Sequence, residues 1–192
     1  MRNAISPWVS QRLVFHNLMA SLACLAIVFT AMASPAAAKT ELPIEHRLPL
    51  QTAIEVARAA ISTCRALGAE VSASVVDQHG QTIVQLQGDH AAPHTFGLSK
   101  KKAYTAVAMA PLQGVKRTSE VAAGLRASHQ AIGDLALPAD SIDEITPIAG
   151  GVIIEIDKEV VGAIGVSGAR SGVEDEGCAE SGALTIAKLY PF

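Results

Sequence analysis

Apolar and polar positions alternate along the chain with two periods, one typical of helices and the other of strands. The clearest helical stretch starts at Pro49, repeats apolar or small residues every three or four positions, and stops at Gly68. Two stretches with the shorter repeat each contain a turn and therefore predict β-hairpins. The predicted elements are a helix at 49–67, a hairpin at 70–87, helices at about 95–109 and 118–132, a hairpin at 152–168 and a helix at 174–189.

This order of elements predicts the fold class. Strands joined by a hairpin turn are antiparallel neighbours, so the two hairpins predict an antiparallel β-sheet. The four helices would flank that sheet, which gives a single α+β domain. We expect Pro111 and Gly114 to break the second helix, because proline removes a backbone donor and glycine is common at the end of a helix. The acids Glu155, Asp157 and Glu159 alternate with apolar residues, which predicts that one face of the second hairpin is wet.

A separate apolar run, LMASLACLAIVFTAMA, occupies residues 18–33 near the N-terminus. Arg2 and Arg12 precede it without any acid, and Ala36 and Ala38 follow in A-x-A positions. A basic region, a short apolar region and a small-residue site together predict a secretory signal peptide that is cleaved after Ala38. The alternative is a retained anchor, but this run is short for a span of about 20 residues.

Cleavage would leave a tail at 39–48 and a domain at 49–192, located in the periplasm or outside the cell. Hydrophobic residues make up 49% of the 192-residue chain and charged residues 17%, which excludes a disordered chain. The formal net charge is −3, and removal of the basic N-terminal segment makes it more negative. We therefore expect no nucleic acid among the partners, and no membrane span after cleavage.

Two cysteines remain in the mature chain, Cys64 in the first predicted helix and Cys178 in the last. Export permits a disulfide. A bridge between them would close a loop of more than 100 residues and stabilise the fold by about 4 kcal/mol if unstrained. The prediction that we favour is two buried, unbridged thiols, since cysteine packs as a small hydrophobic residue.

Standard catalytic and nucleotide-binding motifs are missing from the sequence. The glycine-rich run at 162–172 lacks G-x-G-x-x-G spacing and follows a hairpin, so strand packing and turns account for it better. There is no P-loop, and Ser167 does not lie in a G-x-S-x-G elbow. Whether the protein is an enzyme is therefore left open.

Residues with ligand chemistry gather around the start of the second predicted helix. His90 and His94 lie in the loop that enters it, and neutral imidazole is a good metal ligand. The lysine run 100–102 can meet an anion, and Tyr104 and Thr105 each carry an oxygen that can hold a ligand. The alternatives are exposed loop histidines, a solvated lysine face and core packing. The remaining histidines are expected at the surface: His46 in the tail, His79 in a turn and His129 on a helix.

Three segments stand out in this order: VVDQHGQTIVQLQGD, SKKKAYTAVAM and PIAGGVIIEIDKEVVGAIGVSGARSGVEDEGCAESGA. Together they resemble the GlcG/HbpS-like family of small heme-binding or heme-degrading domains, over about residues 48–190. Lys102, Ala103 and Thr105 match the second-helix motif of that family, and Gly150-Gly151 match its glycine pair. The departures are Val152-Ile153, where members commonly carry proline, and the histidines at 90 and 94.

The resemblance implies a profilin-like sheet flanked by helices, a homo-oligomer, and heme as the cofactor. The protein would capture, buffer or sense heme, with weak heme-degrading or iron-releasing activity as an added property, and would work beside a sensor or uptake protein. The alternatives are an accessory protein or enzyme acting on a small organic acid, and a ring-forming structural partner.

The implied heme site lies near the loop at 88–95 and the second helix. His94 is the preferred metal ligand, with His90, Tyr104 and Thr105 as the other candidates for the iron contact. Lys102 or a neighbouring lysine would meet a propionate.

Overall fold

The computed structural model describes residues 44–132 and 142–190, so the predicted signal peptide lies outside the described residues. The described part contains a four-stranded sheet with the order β2-β1-β4-β3. Every neighbouring pair of strands is antiparallel, which confirms the predicted α+β fold. The elements are α1 Leu50–Ala66, β1 Ser72–Asp77, β2 Thr82–Gln87, α2 Pro93–Gln113, α3 Thr118–Ile132, β3 Gly151–Ile156, β4 Glu159–Ser167, α4 Gly172–Leu184 and α5 Ile186–Leu189.

Helices cover the sheet on both faces. Val75 of β1 and Ile164 of β4 face α1 and α4, whereas Val76 and Ala163 face α2. The second hairpin is therefore buried on both faces at residues 161–167, and the prediction of one wet face along it is wrong. Within β3, β4 and their turn, only residues 155–160 are partly or fully exposed. Within the described residues, no helix combines the length and apolar character needed to cross a membrane.

Small side chains let α2 lie directly on the sheet. A Cβ at Gly165 would clash with the backbone of Ser99, and one at Gly151 would clash with the carbonyl of Lys102. Beside them, the hydroxyls of Ser74 and Ser99 share a buried hydrogen bond of 2.7 Å. Because the backbones approach this closely, side chains on the inner face of α2 are held against β3 and β4.

The ends of α2 differ from the sequence prediction. The helix starts at Pro93, where the fixed φ of proline suits a first turn, rather than near Thr95. Pro111 does not break the helix, which continues to Gln113, whereas the predicted break at Gly114 is confirmed. A proline this close to the end removes few helical hydrogen bonds, and Gly114, in a left-handed conformation with φ 66°, caps the helix.

Cys64 and Cys178 form a disulfide, so the prediction of two unbridged thiols is wrong. The bond joins α1 to α4, with 5.6 Å between the two Cα atoms, and both cysteines are buried. Helical periodicity indicates that a cysteine points into the core, but it does not indicate which residue of another helix it contacts. The packing of α1 against α4 brings the two sulfur atoms together.

We expect the disulfide to stabilise the domain by about 2–4 kcal/mol, because it closes a long loop in the unfolded chain. Equilibrium urea unfolding with and without dithiothreitol measures this difference. The variant Cys178→Ala is the control, since its stability should be lowered and should not respond to the reductant. A parent protein equally stable with and without the reductant would contradict the expectation.

Candidate functional site

The candidate residues on α2 are divided among three environments. His94 lies in the first turn at the surface, Tyr104 lines a cleft, and Lys102 and Thr105 are buried under the helix. A helix rises 1.5 Å per residue, so His94 and Tyr104 are about 15 Å apart along the axis. These two side chains therefore cannot bind the same iron atom. The sequence alone had left open which of them would be the iron ligand.

Lys102 points into the protein and not toward a ligand. Its side chain is 1% exposed, and its Nζ donates to Asp175 Oδ2 at 2.7 Å and to the carbonyl of Val166 at 3.0 Å. Gly150 leaves the room for this lysine, because a Cβ there would lie 2.8 Å from Nζ. The expected contact between Lys102 and a propionate is therefore corrected: its ammonium group is used inside the fold.

Burial and hydrogen bonding shift the pKa values of Lys102 and Asp175 in opposite directions. Burial lowers the pKa of Lys102 and raises the pKa of Asp175, because it penalises the charged form of each. The hydrogen bond between them favours both charged forms. The second oxygen of Asp175 accepts the backbone N–H of Ala169 at 2.8 Å. Among the described residues, no buried side-chain nitrogen or oxygen lacks a hydrogen-bond partner.

Glu176 is a second buried acceptor, and its role was missed in the sequence. Its carboxylate accepts the Ser119 N–H at 3.0 Å and the Ser119 hydroxyl at 2.6 Å, and also contacts Thr118 and Gly150. Asp175 and Glu176 thereby connect α4 to α2, to the start of α3 and to the glycine pair.

Thr105 is also structural. Its hydroxyl donates to the carbonyl of Lys101 at 2.8 Å and accepts the N–H of Thr146 at 2.9 Å. The side chain is fully buried. Thr105 therefore fixes the segment that follows residue 141, and its proposed role as an iron contact is corrected.

His94 belongs to an exposed face of α2. Gly97 and Lys101 follow at helical spacing on that face and are also exposed. A Cβ at Gly97 would meet no atom within 4 Å, so the helix surface there is open. Phe96 borders it and is 40% exposed. His90 is likewise exposed, in the loop before the helix. This arrangement offers single imidazoles, an open helix surface and an ammonium group.

A metal ion on its own is not supported in the part of the chain that the structure describes. No three side chains of His, Cys, Asp or Glu are grouped there so that they could hold one. A cofactor that brings most of its own ligands, such as heme, needs only one such side chain. The exposed histidines fit that simpler requirement.

Tyr104 lines a cleft of about 400 Å³ with Gly80, Gln81, Thr82, Lys100 and Glu144. The ring lies against Gly80, where a Cβ would be only 2.6 Å from Tyr104 Cε2. Gly80 also has φ 78°, so both its conformation and its size are required. Lys100 Nζ and Glu144 Oε2 are 3.7 Å apart at the rim.

This chain is similar in sequence and in structure to known proteins. A family model described as haem degrading protein HbpS-like matches residues 48–184. The structure of HbpS is 34% identical, covers 79% of this chain and 99% of its own, and has a TM-score of 0.66. A double mutant of HbpS from Streptomyces reticuli is also 34% identical, covering 80% and 97%, with a TM-score of 0.65.

The complex of PduOC with heme is a further structural relative. It is 26% identical, covers 72% of this chain and 94% of its own, and has a TM-score of 0.60. No curated protein sequence matches this chain significantly.

We expect Lys102→Met to destabilise the fold by about 3–5 kcal/mol, because it leaves Asp175 buried without a counter-ion. Loss of the amine also raises the pKa of Asp175 further. A carboxyl group whose pKa is higher in the folded than in the unfolded state favours folding at a pH below the unfolded-state pKa. This contribution to the free energy of unfolding is lost as the pH rises through the folded-state pKa. The deficit should therefore be largest at neutral pH and smaller below about pH 4, as measured by urea unfolding.

Lys101→Met is the matched control, since the neighbouring lysine is exposed and should change stability by less than about 0.5 kcal/mol. Adding Asp175→Asn to Lys102→Met should recover part of the loss. Equal effects of the two lysine variants would contradict the structural role of Lys102.

Proposed function

Because this chain belongs to the HbpS-like family of heme-degrading proteins, we propose that it binds heme and captures, buffers or senses it outside the cytoplasm. The observation that carries the proposal is the family match over residues 48–184. The relative solved with bound heme supports the same ligand. Heme degradation, iron release and assembly into a homo-oligomer stay predictions.

The exposed face of α2 formed by His94, Gly97 and Lys101 is our candidate heme site. Imidazole is an iron ligand in globins and peroxidases, so His94 fits the iron contact. Gly97 leaves the helix surface open to a flat molecule, and exposed Phe96 adds apolar surface beside it. Lys101 is exposed and makes no ion pair with any described residue. Since Lys102 is buried in its own ion pair, Lys101 is the neighbouring lysine that we propose for the propionate contact.

The exposure of this face favours reversible binding. A heme on a helix surface keeps much of its area in water and gains less from burial than a heme in a closed pocket. Reversible binding suits a protein that buffers heme or passes it on. When bound, heme supplies redox and oxygen chemistry; the chain itself would contribute ligation and positioning.

We also propose that the protein is exported to the periplasm or the extracellular space. The support is the basic, apolar and small-residue pattern of residues 1–38, which predicts a cleaved signal peptide. The disulfide between Cys64 and Cys178 supports the same compartment, because disulfides persist where the environment is oxidising.

Hemin titration of the exported protein should give a saturable, red-shifted Soret band. In His94→Ala we expect the band to be lost or shifted and the affinity to fall at least about tenfold, since the iron ligand is removed. His129→Ala is the matched control, because His129 is exposed on α3, and it should leave the band unchanged.

Tyr104→Phe distinguishes the two ends of α2. A band that survives His94→Ala but is lost in Tyr104→Phe would move the iron to the cleft and overturn the His94 site. A titration without any saturable band would overturn heme binding itself.

Export is tested by expressing the full chain in a Gram-negative host and sequencing the product. We expect the protein in the periplasm, with Lys39 as its first residue. Ala38→Phe should prevent cleavage, because the signal peptidase requires a small residue at that position. Cytoplasmic protein that retains residues 1–38 would contradict the proposal.

A further inference from the structure

The cleft at Tyr104 is built from three separate parts of the chain. The turn between β1 and β2 supplies Gly80, Gln81 and Thr82, α2 supplies Lys100 and Tyr104, and the segment before β3 supplies Glu144. A volume of about 400 Å³ lies in the range of small-molecule sites. Along α2, Tyr104 is about 15 Å from His94 and Lys100 about 9 Å. The residues that line the cleft are different from His94, Gly97 and Lys101 of the proposed heme site.

Two lysines of α2 form ion pairs of different kinds. Lys102 and Asp175 are buried and separated by 2.7 Å, the length of a direct charge-assisted hydrogen bond. Lys100 and Glu144 are separated by 3.7 Å, and their side chains are 42% and 45% exposed. An exposed pair at that distance holds its partners by at most about 1 kcal/mol. Both charges at the rim can therefore turn toward a ligand at little cost.

This pair favours a ligand that carries an ammonium group and a carboxylate close together. A ligand with only a carboxylate would be attracted by Lys100 but repelled by Glu144. A ligand with only an ammonium group would be attracted by Glu144 but repelled by Lys100. A molecule with both groups satisfies both side chains at once. The half-buried ring of Tyr104, which is held against Gly80, offers an apolar surface for an aliphatic group beside the charges.

We propose that the cleft binds a small zwitterion of the α-amino acid class. Its carboxylate contacts Lys100, its ammonium group contacts Glu144, and its side chain lies along Tyr104. This site and the proposed heme site use different residues of α2.

The test titrates the exported protein with L-leucine and follows backbone amide chemical shifts by NMR. We expect saturable shifts at Gly80, Gln81 and Thr82. Isocaproate, which lacks the ammonium group, and isoamylamine, which lacks the carboxylate, should bind at least about fivefold more weakly. Equal binding of all three compounds, or no saturable shift with L-leucine, would overturn the proposal.

Variants locate the site. Lys100→Gln and Glu144→Gln should each weaken L-leucine binding about fivefold, whereas Lys188→Gln, at an exposed lysine outside both proposed sites, should not. The double exchange of Lys100→Glu with Glu144→Lys keeps one charge of each sign and should restore part of the affinity. Hemin that displaces L-leucine from the wild-type protein would make this cleft part of the heme site and overturn their separation.

Discussion

The buried ion pair between Lys102 and Asp175 is the interaction on which the rest of the structure depends. It joins α2 to the start of α4, and its second hydrogen bond, to the carbonyl of Val166, ties both to β4. Charges placed inside a protein are tolerated only when every hydrogen bond around them is made. The surroundings are shaped accordingly: Gly150 leaves space for the lysine, and Ala169 donates its N–H to the carboxylate.

This pair gives the most recognisable motifs a structural role. The lysine of the second helix, the glycine pair and the acidic start of the last helix lie together around one buried network. Their polar groups form hydrogen bonds and an ion pair that stabilise the fold. A scaffold fixed in this way leaves its exposed residues free to differ, which is how one fold comes to serve several functions.

The helix α2 consequently has two roles on its two sides. Its inner side is fixed on the sheet by glycine and serine contacts and by Lys102. Its outer side presents His94 in the first turn and Lys101 and Tyr104 near the middle. His94 and Tyr104 are about 15 Å apart along the axis, whereas Lys101 and Tyr104 are about 4.5 Å apart. The two proposed sites therefore use different residues of one helix.

The sequence by itself determined the elements, the antiparallel sheet and the family, because periodicity, turns and motifs are local properties of the chain. It also located the polar groups of α2 without telling which of them face inward. Only the tertiary structure decided that Lys102 and Thr105 are buried, that His94 is exposed, and that Cys64 meets Cys178. Those outcomes depend on contacts between residues far apart in the chain, which no local pattern encodes.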